Sequence, residues 1–282
     1  MRLRWGSRTY VMGIVNVTPD SFSGDGIAGR GRDGEAVVAA AVAQAESFVD
    51  GGAEIIDIGA ESTRPRAAYG DHPAVDVDEE LARALPVVRA VVEAVADRAI
   101  VSIDTAKGAV ARAALDAGAT MVNDVWGAQR DPGTAQAAAA AGAYLVVMHN
   151  QERSGYPRGV RATVTDWLRA SVAIATSHGV ARDRLIVDPG IGFGKGTTEN
   201  LELLRHLGPL KEDLEGLPIL LGTSRKRFLG ELLGGVGPDA RLEGTAATVT
   251  LGIAAGVDIV RVHDVAPIAR VRDVADAIIR GR

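Results

Sequence analysis

Two hydrophobic periods alternate along the chain. Short apolar runs rich in Val and Ile end in a polar residue, and longer Ala-rich stretches with helical spacing lie between them. The junctions repeat: Gly52-Ala53 precedes EIIDIG, Gly118-Ala119 precedes TMVND, Gly142-Ala143 precedes YLVVMH, and Gly256-Val257 precedes DIVRVH. Glycine is favoured just beyond a helix C-terminus, so each junction predicts a helix end followed by a strand. The runs YVMGIVN, AIVSIDT, RLIVDPG and PILLGTS complete eight predicted strands, near residues 10–16, 54–60, 99–104, 120–124, 144–149, 184–188, 218–222 and 258–263. Helices are expected over Asp33–Asp50, Asp78–Ala96, Lys107–Ala117, Pro132–Ala141, Thr165–His178, Thr198–Leu207, Arg225–Leu233, Arg241–Ala255 and Pro267–Arg280. Asp33, Asp78 and Thr198 stand where N-caps belong.

Near-continuous apolar strands alternating with helices indicate a parallel sheet buried on both faces. Eight β–α units in 282 residues predict one (β/α)8 TIM barrel, a single domain over 1–282, rather than an open doubly wound sheet. The longest irregular stretches, Gly24–Gly31, Arg64–Asp76 and Asn150–Val164, each follow the C-terminal end of a strand. Barrel enzymes assemble their sites at that end.

Composition narrows the chemistry. At 47% hydrophobic and 24% charged residues, the chain has ample material for a globular core. Cysteine is absent, which removes disulfides, thiolate metal sites and cysteine nucleophiles and fits a reducing cytoplasm. MRLRWGSRTY is basic without an apolar segment, and no apolar run reaches membrane-spanning length, so neither a signal peptide nor a membrane span is expected. A net charge of −5 argues against a nucleic-acid partner, and anionic substrates require cations gathered at one site.

The predicted strand ends carry Asn16, Asp57 with Glu61, Asp104, Asn123 with Asp124, His149, Asp188, Ser224 and His263. Each polar group buried there needs a partner, and caps alone do not account for all of them. The densest motif is LIVDPGIGFGK at 185–195. Pro189 ends the strand, and Gly190, Gly192 and Gly194 allow positive φ and close approach of a ligand to the backbone. The spacing matches neither a phosphate-binding P-loop nor a dinucleotide fingerprint.

The motifs NVTPDSFS at 16–23, ESTRP at 61–65, SIDT at 102–105, ND at 123–124, DPGIGFGK at 188–195, SRKRFLG at 224–230, GTA at 244–246 and RVHDV at 261–265 resemble the dihydropteroate synthases. The resemblance spans the chain in order. It implies condensation of 7,8-dihydropterin-6-ylmethyl diphosphate with 4-aminobenzoate, giving 7,8-dihydropteroate and pyrophosphate in folate biosynthesis, in a sulfonamide-targeted enzyme. It also implies that Asp104, Asn123, Asp188 and Lys226 hold the pterin edge, with Val125, Met148 and Gly222 lining its faces. Diphosphate would meet Asn16, Thr63, Arg64, Arg261, Val262 and His263. Arg261 and His263 alternate on the last strand and so share a face that Val262 does not. Asn16 would bind Mg2+ together with phosphate oxygens and water. The aminobenzoate pocket would use Phe22, Thr63, Pro65, Phe193, Ser224 and Lys226, with Asp104, Asp188, Lys226 and Arg64 as the catalytic groups.

The loops Asn16–Arg32 and Gly59–Asp76 are long and polar with few apolar anchors, so they are expected to close over diphosphate, with pterin diphosphate binding before aminobenzoate. The resemblance further implies a homodimer through the last helices. Ala60, Ala106, Arg66 and Gly24-Asp25 depart from the family pattern in loop positions. Two alternatives share part of the residue set: a methyltetrahydrofolate-dependent methyltransferase and a non-catalytic pterin-binding paralogue. A Schiff-base aldolase would need a lysine at a strand end, and none stands there.

Overall fold

The computed structural model describes residues 2–18, 34–61, 75–152 and 155–281. Eight parallel strands form one sheet: β1 (Tyr10–Asn16), β2 (Ile55–Gly59), β3 (Ile100–Asp104), β4 (Met121–Asp124), β5 (Tyr144–Met148), β6 (Leu185–Asp188), β7 (Leu220–Leu221) and β8 (Ile259–Val262). The order runs β6-β5-β4-β3-β2-β1-β8-β7. A bridge between Val187 and Ile219 joins the two ends and closes the barrel.

Around it lie α1 (Gly34–Asp50), α2 (Val77–Val95), α3 (Gly108–Asp116), α4 (Gly133–Ala141), α5 (Val160–Ser177), α6 (Thr197–Arg205), α7 (Leu207–Asp213), α8 (Arg227–Leu232), α9 (Leu242–Ala254) and α10 (Val265–Arg280). The four helix-to-strand glycines, Gly52, Gly118, Gly142 and Gly256, all have positive φ, as the junction pattern required.

The twofold alternation of each strand divides its side chains between two cores. Val11, Ile56, Val101, Val122, Leu145, Val187 and Val260 face the helices. Met12, Ile55, Ile100, Met121, Val146, Ile186, Leu220 and Ile259 fill the interior of the barrel, closed below by Leu3 and Trp5. Two residues further along the same strands, the inward positions turn polar: Asp57, Ser102, Asn123, Asp188 and Arg261. This parity places the site directly on the apolar interior.

Several boundaries differ from the sequence expectation for local reasons. Strand β7 has two residues rather than five, because Pro218 cannot donate to a ladder and Gly222 begins the turn. Its carbonyl still accepts the Val187 N–H at 2.9 Å. Helix α8 starts at Arg227 rather than 225, since Arg225 has φ +58. Helix α5 starts at Val160, five residues before the expected Thr165. Helix α10 starts at Val265 and keeps Pro267 in its first turn, where no N–H is needed. The cap of α2 is Asp76, whose carboxylate accepts the Glu79 N–H at 2.8 Å; Asp78 lies inside the helix. Thr198 likewise lies one residue inside α6, preceded by Gly196 at the cap. Asp33 lies outside the described residues.

Candidate active site

The inward polar positions meet at the C-terminal mouth. Strand register sets Asp104 beside Gly59 and Asn123, Asn16 beside Gly59, Met148 beside Asp188, and Arg261 beside Met12. Gly59 borders this cluster: a Cβ there would make ordinary contacts with Asp104 Oδ2 at 3.7 Å and Asn16 Oδ1 at 3.9 Å. Arg261 donates from Nε to Asp57 Oδ2 at 2.7 Å and from Nη2 to Asp104 Oδ2 at 2.8 Å. Asn123 Nδ2 donates to the same Asp57 oxygen at 2.9 Å, which leaves its amide oxygen as an acceptor. Asp57 Oδ1, Ser102 Oγ and Asp104 Oδ1 are buried without a hydrogen-bond partner among the described residues. Unpaired buried acceptors are costly, and a ligand carrying N–H donors satisfies them.

The glycine loop forms the next wall. Gly190 N–H donates to Asp188 Oδ1 at 2.7 Å, which fixes that carboxylate. Lys226, after β7, reaches the loop after the neighbouring β6, donates to the Ile191 carbonyl, and has its Nζ 4.7 Å from the centre of the Phe193 ring. Gly222 lies beside it: a Cβ there would be in ordinary contact with Lys226 Nζ at 3.8 Å. The turn carrying Lys226 is locked from outside. Arg225 contacts the Asp264 carboxylate at 3.0 and 2.6 Å, and its carbonyl accepts from Arg241 at 2.7 Å.

Ser224 is engaged with His263: its hydroxyl oxygen lies 3.2 Å from the His263 N–H and 3.0 Å from Nδ1. The side chain of Val262 is buried in the helix-side core, so only its backbone faces the mouth. Val125 is buried at the end of β4, and Met148 is buried at the end of β5. Glu61, from the ESTRP motif, accepts the Val75 N–H at 3.2 Å and pairs with Lys107 at 2.6 Å. Phe22, Thr63, Arg64, Pro65 and Arg66 lie outside the described residues.

Burial dominates the electrostatics here. It raises Asp104 above the usual carboxylate range, Arg261 opposes this, and Asp57 reinforces it. Burial also raises Asp188, against the attraction of Lys226. It lowers Lys226 to about 8, with Asp188 opposing and Arg261 assisting. Arg261 is raised in spite of burial, because Asp57 and Asp104 hold its charge.

Not every polar strand end joins the site. Asp124 accepts from Trp126 N, Ala128 N and the Thr134 hydroxyl at 2.8, 2.9 and 2.7 Å, and so caps its own loop. His149 turns away toward Lys195. Conversely, Asp57, a polar strand end outside the family-implied residue set, does join the site through Asn123 and Arg261. The signal was its parity with Ile55, two residues before it on an inward face.

A full-length family relationship accounts for this arrangement. Residues 12–263 match the family model described as pterin binding enzyme. The dihydropteroate synthase of Bacillus subtilis is 44% identical over 279 residues, covering 98% of this chain and 91% of that protein. The chain belongs to the dihydropteroate synthase family of pterin-binding enzymes. A dihydropteroate synthase of Clostridium difficile, crystallised in the presence of pteroic acid, superposes with a TM-score of 0.89 at 46% identity, covering 99% of both chains. The Xanthomonas albilineans dihydropteroate synthase with 4-aminobenzoic acid gives 0.85 at 41% identity, covering 96% of this chain and 93% of that one.

Proposed function

We propose that the chain condenses 7,8-dihydropterin-6-ylmethyl diphosphate with 4-aminobenzoate, releasing pyrophosphate. One observation supports this most directly. Buried unpartnered acceptors on Asp57 and Asp104 gather around Arg261, with the amide of Asn123 bonded to Asp57, and Asp188 and Lys226 interact electrostatically with each other and with the same Arg261. A pterin edge presents N–H donors and a carbonyl acceptor in one plane, and this set complements it. Met148, Val125 and Gly222 complete the ring's surroundings.

In the proposed reaction the C–O bond to diphosphate breaks and positive charge develops on the pterin methylene. Asp104 and Asp188 stabilise that charge from preset positions. Arg261 and His263, with Arg64, Thr63 and the backbone of Val262, receive the leaving group. Hydrogen bonding to Ser224 orients the His263 ring. The arylamine attacks as a neutral nucleophile, so no strong base is required. Phe193 and Lys226 border the aminobenzoate pocket, with Ser224, Phe22, Thr63 and Pro65 as its remaining proposed lining.

Among the described residues no cluster of His, Cys, Asp and Glu suits a multi-ligand metal site. The half-buried amide of Asn16 is a hard oxygen donor at the mouth, and one such ligand fits a Mg2+ that is otherwise held by substrate phosphates and water. Magnesium would supply charge neutralisation to the departing diphosphate. The reading also includes a homodimer, a cytoplasmic location, supported by the absence of cysteine, and competition by sulfonamides for the aminobenzoate pocket. No described helix is long and apolar enough to cross a membrane.

The test is incubation with both substrates and Mg2+, assaying pyrophosphate and dihydropteroate together. Equal yields of the two products are expected. Chelation should abolish both while leaving the melting temperature of the free protein unchanged. Pterin binding without product would identify a non-catalytic paralogue instead.

A further inference from the structure

The glycine loop after β6 is folded around an amino group that the proposed chemistry does not use. Lys195 is buried, with its Nζ 2.8 Å from the Gly190 carbonyl, 3.0 Å from the Phe193 carbonyl and 2.8 Å from His149 Nδ1. The carbonyls converge because Gly190, Gly192 and Gly194 take φ values of +66°, +82° and +60°. His149 is itself confined, with its ring 5.4 Å from Trp167 and its carbonyl against Gly190, where a Cβ would sit only 1.9 Å from the oxygen. Burial lowers Lys195, with Asp188 opposing. Both protonation states keep the three contacts: an ammonium donates to all of them, and a neutral amine donates twice while accepting from a His149 Nδ1–H tautomer.

The segment between those two carbonyls carries the groups that arrange the site. Gly190 N–H fixes Asp188, Ile191 O receives Lys226, and the Phe193 ring faces the Lys226 ammonium. Gly192 N–H is held by Asn200 Oδ1 at 2.7 Å, and the Tyr156 hydroxyl donates to Gly194 O at 2.8 Å. We propose that Lys195 is a positioning residue for the condensation: by binding the Gly190 and Phe193 carbonyls against His149, it fixes the loop groups that orient Asp188 and Lys226. This rests on the functional reading above. A lysine serving stability alone would leave substrate affinity unchanged in a folded variant.

Lys195→Met removes all three donors at nearly constant volume. Calorimetry with pterin diphosphate and Mg2+, kinetics with each substrate and thermal melting are compared with Leu203→Ala, a core variant on α6 that touches none of these contacts. The expected result for Lys195→Met is a loss of about 10–100-fold in pterin affinity and kcat/KM. The basic limb of the pH profile, set by Lys226 between Asp188 on β6 and Arg261 on β8, should move up toward the ordinary lysine value of 10.5 as the loop opens to water. Retained affinity and an unmoved limb overturn the proposal, as does Leu203→Ala producing both changes at the same melting temperature. If Lys195→Met does not fold, His149→Leu takes its place: it removes one acceptor and should give the same two shifts, smaller in size, and their absence is equally decisive. Wild-type protein that binds pterin diphosphate but makes no product overturns the functional reading alone, because the affinity comparison still judges Lys195.

Discussion

Asp104 stands under two opposing influences, and its role in the reaction depends on their balance. Burial raises its pKa to about 8, outweighing the attraction of Arg261 at 2.8 Å. A cation forming beside it draws the group to its charged form, and a carboxylate in such surroundings is then a strong stabiliser of that cation. Asp104→Asn keeps the shape and removes the charge, so turnover should fall about 10²–10³-fold, or ~3–4 kcal/mol in kcat/KM. Steady-state kinetics within about threefold of wild type would remove Asp104 from the mechanism.

Lys226 gives a second prediction at this scale. Its pKa falls from 10.5 to about 8 in the folded protein, chiefly through burial. Between those values the unfolded chain binds the proton and the folded chain does not, so stability should rise with pH across that window. Pterin affinity should move the other way, since deprotonation removes a charged donor. Denaturant titrations and calorimetry at matched pH check both signs, and Lys226→Met should flatten both curves.

At the scale of elements, the barrel was legible because parallel strands and their glycine junctions leave a strong periodic signal. Strand β1 has the expected bounds, and β2 through β6 and β8 differ only at their ends. Strand β7 was overextended because PILLGTS has strand-like hydrophobicity while Pro218 and Gly222 limit its pairing. The site was legible in part. Motif residues on inward strand positions converge as expected, but pairings such as Asp57 with Arg261 join positions 204 residues apart, and local spacing does not encode them. Ser224 illustrates the same limit: its partner is His263, which follows the neighbouring strand β8 and lies 39 residues away in sequence. The glycine loop allows a sharp test of an element. Gly190→Ala places a methyl against the His149 carbonyl at a positive φ, so the backbone must shift. A loss of roughly 1–3 kcal/mol in stability is expected, together with weakened pterin binding, because Gly190 N–H positions Asp188. Unchanged melting and unchanged affinity would show that the loop tolerates another path.

The molecule as a whole leaves one apolar face uncovered. Leu232 and Leu233 at the end of α8, Leu251 on α9, and Val274, Ile278 and Ile279 on α10 are the exposed large hydrophobic side chains among the described residues. Leu251 and Ile278 are the most open, at 69% and 75%. Helices α9 and α10 pack against one another, and Val274 and Ile278 stand four residues apart on one stripe, so the patch is shared by neighbouring helices. Barrel helices normally bury such stripes against the sheet, and a second apolar stripe facing outward marks an interaction surface. The opposite side of α10 is already committed: Arg272 contacts Glu54 at 3.1 Å, and Asp276 accepts the Thr9 N–H at 2.6 Å. That anchoring holds the outer stripe rigid, which lowers the entropy lost on association. A second copy of the chain meeting this face about a twofold axis would cover both patches at once, in keeping with the proposed homodimer. Stable interfaces bury about 800 Å² per partner, and a pair of charges in the middle of one is rarely tolerated. The double substitution Leu251→Asp and Ile278→Asp should therefore halve the mass seen in sedimentation. It should also lower the melting temperature and remove its dependence on protein concentration, because association no longer adds to stability. Wild-type protein that sediments as a monomer at tens of micromolar would end the dimer proposal and leave the apolar face to a different partner.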